Sequence, residues 1–280
     1  MNSFSASDAA LEGFQVIRSQ WRVVLGWCLF SLISFVGLVA VAFIAIAAAT
    51  LAVSTREQAD AAGGVVGGLV LGLGGVSIQW VLVTALYRMT LRPQLAPGFF
   101  HLRFSKVEGR LIVLWLTLLA VFCAMVFAAS ILVLWLLKFS PWAGFVATLA
   151  IAAVMIWLAL RTSLAGPANF DTGRFGLADS WRLTRGRVWP LFGMALLALC
   201  LLLLIALVVF ILTAVVQAAI GGFHTFAPVS LSDPQALAER PGAYVFGLIA
   251  ELVIAPLYLV IAQAPLAAAY QALKGPAEAD

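Results

Sequence analysis

Charge is what this chain has least of. Asp, Glu, Lys and Arg make up 10% of its 280 residues, whereas soluble domains carry roughly 25%. With 64% hydrophobic residues, too little polar side chain remains to cover a water-facing surface, so a soluble globular fold is excluded. Histidine is present twice and cysteine three times. Cys28, Cys123 and Cys200 each fall inside an apolar run without metal-ligand spacing. That argues against a zinc site or a disulfide framework and leaves them as packing residues. No basic run is long enough to point to nucleic acid. No HExxH, GxSxG, phosphate-loop or paired-carboxylate pattern occurs either. Asp171 and Asp179 lie near Arg174 and Arg182 and read as helix caps and local ion pairs. Nothing calls for a cofactor or a metal, and an enzyme is not expected.

What the chain does have is long apolar runs: 23–53, 63–87, 111–137, 142–160, 188–220 and 243–273. Each approaches or exceeds the roughly 20 residues that cross ~30 Å of hydrocarbon. The first is too long for the apolar region of a signal peptide and reads as a retained span. Residues 54–62 read as a polar loop and 138–141 as a tight turn. The longest connection is 221–242. The expected fold is all-α: a polytopic membrane protein with six transmembrane helices in one integral membrane domain, 1–280.

Short amphipathic segments lead into the spans. Ser5-Ala-Ser-Asp8 has the capping-box pattern, and Leu11, Phe14, Ile17 and Trp21 then share one side. Two readings stand for this segment: a helix lying on the membrane surface, or the first turns of span one. Further on, Phe100, Phe104, Val107 and Leu111 form an apolar stripe beside Arg103, Lys106 and Arg110. Leu177, Trp181 and Thr184 do so beside Arg182 and Arg185. Arg22, Arg110 and Arg187 each precede an aromatic by five residues (Trp27, Trp115, Phe192), the spacing of an interfacial anchor pair. Spans two, four and six each leave through a leucine and then a helix-stopping proline, Pro93, Pro167 and Pro276. Together these signals define three units of one plan, about 5–98, 99–168 and 169–280: surface helix, span up, span down, proline stop.

The cations fix the expected threading. Arg18, Arg22, Arg88, Arg92, Arg103, Lys106, Arg110, Arg161, Arg174, Arg182, Arg185, Arg187 and Lys274 fall on the side of the N-terminus. Only Arg56, Lys138 and Arg240 fall on the other. By the positive-inside rule both termini are expected in the cytoplasm of a bacterial inner membrane. His101 and His224 then lie on opposite sides and cannot share a site. The basic segments are expected to meet anionic headgroups, with Arg103, Lys106, Arg110, Arg182, Arg185 and Arg187 as candidate contacts.

Glu251 is the only ionisable residue well inside a predicted span. Its cost in hydrocarbon predicts that it faces the bundle interior. Gln79, Gln217 and Gln263 are the other candidates for an intramembrane polar site. Pro256 and Pro265 are expected to break the sixth span nearby. Two roles stand for Glu251: a neutral hydrogen-bonded clamp between helices, or a proton or cation site. Gly64, Gly68 and Gly72 repeat every four residues, a flat stripe on which another helix can pack.

The stretch Ser180-Trp-Arg-Leu-Thr-Arg185-Gly186-Arg187, with the exit Arg161-Thr-Ser-Leu-Ala-Gly-Pro-Ala168, carries a resemblance. It resembles bacterial six-span membrane families of largely unknown function, a group that includes the membrane domain of glycerophosphodiester phosphodiesterases. No soluble phosphodiesterase barrel accompanies it. The resemblance therefore implies a membrane module without that activity and carries over no active-site residue. The expected function is non-enzymatic, in lipid or envelope homeostasis or as a membrane scaffold. Its partners would be membrane lipids and a protein partner or a second copy of the chain. The alternative is a small transporter or channel built on Glu251.

Overall fold

The structure is a computed structural model that describes residues 6–53, 55–92, 106–221 and 239–274. Its helices, in chain order, are α1 (Ala6–Ser19), α2 (Trp21–Leu51), α3 (Arg56–Leu91), α4 (Lys106–Leu137), α5 (Pro141–Thr162), α6 (Ala165–Thr172), α7 (Leu177–Leu183), α8 (Val188–Gly221) and α9 (Pro241–Lys274). Six are long and apolar enough to cross a membrane, and the chain is a multi-pass membrane protein. Consecutive long helices pack as hairpins, α2 on α3, α4 on α5 and α8 on α9. Their entry segments differ. α1 has 14 residues and α7 has 7. The segment before α4 lies largely outside the described residues. So do Ser5, Phe100, Arg103, Phe104 and both histidines.

Several boundaries depart from expectation for local reasons. The expected polar loop is short, because helix α3 starts at Arg56. The Thr55 side chain accepts a hydrogen bond from Gln58 N at 3.3 Å, and Glu57 lies in the first turn, where a negative charge suits the helix dipole. Pro167 does not end the fourth span. The chain turns at Ser163–Leu164, and the proline sits in the first turn of α6, where it lacks no helical bond. Helix α6 ends instead at Gly173, whose φ of 70° is the left-handed cap that glycine adopts freely. Gly186 takes φ 77° between Arg185 and Arg187 and turns the chain into α8. The sixth span is one continuous helix through both Pro256 and Pro265, not a broken one.

The first segment is a helix of its own, separated from α2 by Gln20. It lies against α9 and α8. Its small face, Ala9, Ala10, Gly13 and Val16, is buried, while Leu11 and Trp21 stay exposed. At Gly13 the backbones nearly touch: a Cβ there would sit 2.7 Å from Ile261 Cα.

Helix α9 is the axle of the bundle. All three buried apolar clusters draw on its last half: Ala269, Tyr270 and Leu273 with α1 and α8; Val260 and Ala264 with α1, α2 and α3; Ala267 with α3, α4 and α6. These clusters sit at the end of the bundle where α1, the end of α9 and most of the described cations lie, here termed the basic end. Trp27, fully buried against Leu82 and Leu86, and Trp115, stacked on Trp80 at 4.8 Å, are packing residues of this region and not interfacial anchors. Among the rings that do face outward are Trp21, Trp181 and Trp189 at the basic end and Trp135, Phe139 and Trp142 at the far end.

Toward the far end, the described contacts hold within hairpins. Ile46 fits against Gly63 and Gly67, Leu38 against Gly74, and Leu137 against Gly144. The stripe on α3 that receives its neighbour is thus offset by one residue from the expected one. Gly64, Gly68 and Gly72 face open space. The sequence offers glycine on two adjacent faces of α3, and the branched side chains of α2 choose between them.

Two alanine substitutions separate these environments. Gly13→Ala must push α1 off α9 and lowers unfolding stability in detergent by about 1–3 kcal/mol. Gly64→Ala fills open space, removes helix-interior glycine and raises stability by about 0.5–1 kcal/mol. Equal effects would contradict the packing described.

Candidate functional site

The polar side chains expected to gather inside the membrane do not meet. Gln217 is buried at the far end and donates from Nε2 to the carbonyl of Ala243 at 3.2 Å, tying α8 to α9. Gln263 accepts the Tyr87 hydroxyl at 3.0 Å, twenty residues further along α9 than Ala243 and hence about 30 Å away. Gln79 is partly buried on α3. Glu251 is exposed on the outer half of α9, not turned into the bundle. Ala243 and Gly247 are buried on that half of α9, and Glu251 follows them at the same four-residue spacing on one stripe. It is exposed all the same, so the cover over that stripe ends before it. Gln217 and Gln263 lie too far apart to line one pocket, and with Glu251 exposed the transport alternative loses its interior carboxylate.

Two other carboxylates, which the sequence reading passed over or treated as local, organise the basic end. Glu108, in the first turn of α4, is 1% exposed and paired with Arg88 of α3, itself nearly buried. The pair joins the first hairpin to the second. Asp171, on α6, is a hub. It receives the Arg92 guanidinium from α3 at 3.2 Å, the Tyr270 hydroxyl at 2.8 Å and the Lys274 ammonium at 2.7 Å from α9. Its partners lie 79, 99 and 103 residues away in sequence, so it is no local cap. Asp179 does pair locally, with Arg182 at 3.7 Å. Nearby, Gln271 Nε2 donates to the carbonyl of Thr90 at 2.7 Å, and Arg110 donates to the carbonyl of Gly173. Arg110, a candidate headgroup contact, is thereby also a strut between α4 and the α6 cap.

The Ser180–Arg187 motif has a structural meaning of its own. Ser180 Oγ, fully buried, donates to the carbonyl of Arg161 at 2.7 Å. Arg161 answers from Nη1 to Trp181 O at 3.2 Å and Thr184 Oγ1 at 3.3 Å. Its guanidinium lies 5.4 Å from the Trp157 ring centre and 5.1 Å from that of Trp181. The two tryptophan rings meet edge-on at 5.4 Å. Such stacked guanidiniums gain from the ring quadrupoles. The motif thus clasps α7 to the end of α5 and leaves Arg182, Arg185 and Arg187 exposed on the turn into α8. Lys106 opens α4, with only its backbone described, and Arg103 lies outside the described residues.

Removing one partner of a buried ion pair costs about 3–5 kcal/mol, while replacing both by apolar residues is often neutral. Glu108→Gln therefore destabilises the detergent-solubilised protein by that order, and the double change Arg88→Met/Glu108→Leu recovers most of the loss. Chemical unfolding of the three proteins checks the pattern. A harmless Glu108→Gln would mean the pair ties nothing together.

Comparison of the chain with known protein families, with curated proteins and with solved structures found no match.

Proposed function

We propose that this chain is a non-enzymatic inner-membrane protein whose cytoplasmic, basic end contacts anionic lipid, in lipid or envelope homeostasis or as a membrane scaffold. The supporting observation is the division of labour among the cations. Arg88, Arg92 and Lys274 are engaged by Glu108 and Asp171 and hold the helices together. Arg182, Arg185 and Arg187 are exposed beside exposed Trp181 and Trp189, and among the described residues only Arg182 of the three is ion-paired, with Asp179. A rim of arginines set among membrane-level indoles matches a negatively charged leaflet surface, which attracts each basic residue by roughly 1 kcal/mol. The charge bias supports a cytoplasmic position for that rim and for both termini. The non-enzymatic reading rests on the use of the conspicuous polar groups: Glu108, Asp171, Ser180 and Thr184 each have a bond between helices or within the clasp.

The test is lipid analysis of protein extracted from a membrane of mixed zwitterionic and anionic phospholipid. Replacing Arg182, Arg185 and Arg187 together with Gln lowers the co-purifying anionic fraction several-fold, with the helix content unchanged. An unaltered fraction would overturn the lipid-contact reading.

A further inference from the structure

Between α5 and α8, at the basic end, runs an apolar groove of about 390 Å³. Ala153, Ile156, Trp157 and Leu160 form one wall, and Val188, Trp189 and Phe192 the other. Trp189 is 81% exposed along its rim. The two helices touch without a buried cluster of their own, so the groove opens onto the surface that hydrocarbon surrounds. One turn beyond Trp157, which lines the groove, stands Arg161, its guanidinium 5.4 Å from that ring.

The state of Arg161 is unusual. Its Nε is buried and has no hydrogen-bond partner, and its other contacts are a carbonyl, a hydroxyl and two indole faces. Among the described residues the ion pairs do not include it. The buried Nε is closed to an outside ligand, but Arg161 as a whole is only half-buried. A guanidinium held between aromatic walls, with no ion pair among the described residues, is complementary to an oxyanion. The nearby side chains reinforce the sign, with Arg185 and Arg187 exposed on the turn that enters α8.

We infer that this groove is a phospholipid site, with one acyl chain lying between Trp157 and Trp189 and the anionic phosphodiester on Arg161. Chain and headgroup arrive in the right order, since the apolar groove runs along the spans and the cation stands one turn beyond Trp157. The Ser180–Arg187 clasp then has a second consequence: it fixes Arg161 for the ligand as well as α7 for the fold. This site rests on the reading of the basic end as a lipid-contacting surface, but it is distinct from the mobile headgroup atmosphere of the exposed rim.

Native mass spectrometry of the detergent-purified full chain, titrated with phosphatidylglycerol, tests it. The wild type retains one tightly held lipid. Arg161→Gln, which keeps a donor for Trp181 O, weakens that binding about ten-fold or more, the loss of one charge-assisted contact. Ala153→Trp, which fills the groove from an exposed position and leaves Arg161 in place, weakens it similarly. The Arg182/Arg185/Arg187→Gln triple variant keeps the tight lipid. If that triple variant also keeps its full anionic fraction in membrane extracts, the rim reading fails and the groove site stands. Equal retention of the lipid by wild type, Arg161→Gln and Ala153→Trp overturns the inference. So does a second copy of the chain, and no lipid, occupying the groove.

Discussion

Helices surrounded by hydrocarbon gain nothing by hiding apolar surface from it, so what joins them must be close packing and polar bonds. This chain meets that constraint at one end. The polar ties between different hairpins, Arg88 to Glu108, Asp171 to Arg92, Tyr270 and Lys274, Tyr87 to Gln263, and Gln271 to Thr90, lie in the basic half of the described bundle. Cys28, donating to the Val253 carbonyl at 3.2 Å near the middle of α9, is the outermost of them. The buried clusters follow the same distribution, because small residues of α9 let its neighbours come close only where those ties already hold them. Far from the basic end, each hairpin keeps its own glycine contacts and turns its apolar faces to lipid.

This asymmetry explains why the cations have two different roles. Those near a carboxylate from another hairpin become structural, and the remaining ones form an exposed rim or, in Arg161, an aromatic-walled socket. Counting charges by side treats them all alike. The structure separates them by distance to Glu108 and Asp171, and that separation decides which cations are free to meet an external anion.

The six spans were legible because an apolar run of membrane length leaves its mark residue by residue. Short connections account for the pairing of α2 with α3 and of α4 with α5 but not of α8 with α9. The cap at Thr55 was legible in principle, since a threonine before Arg-Glu is a helix start, but the polarity of residues 54–62 outweighed it. The organising carboxylates were not. Asp171 meets partners about a hundred residues away, and a sequence shows only its near neighbours, Arg174 and Asp179. Glu108 lies inside a basic segment, where it looks like a solvated exception. Conversely Glu251 stands out in an apolar run, and the rule that such a residue faces inward assumed a bundle closed along its whole length. Trp27 misled for the same reason: five residues from an arginine, it sits at the level where α1, α3 and α9 already enclose it.

The central claim is that the hairpins are fastened to one another at the basic end and only loosely associated beyond it. Pulsed electron spin distance measurements in lipid bilayers address it directly, with the three native cysteines replaced by serine. One spin-label pair, at Arg22 and Thr172, spans α2 and α6 at the basic end, and a second pair, at Leu51 and Leu134, spans α2 and α4 at the far end. The account predicts a single narrow distance for the first pair and a broad distribution for the second. Equally narrow distributions, or a broad one at the basic end, would contradict it.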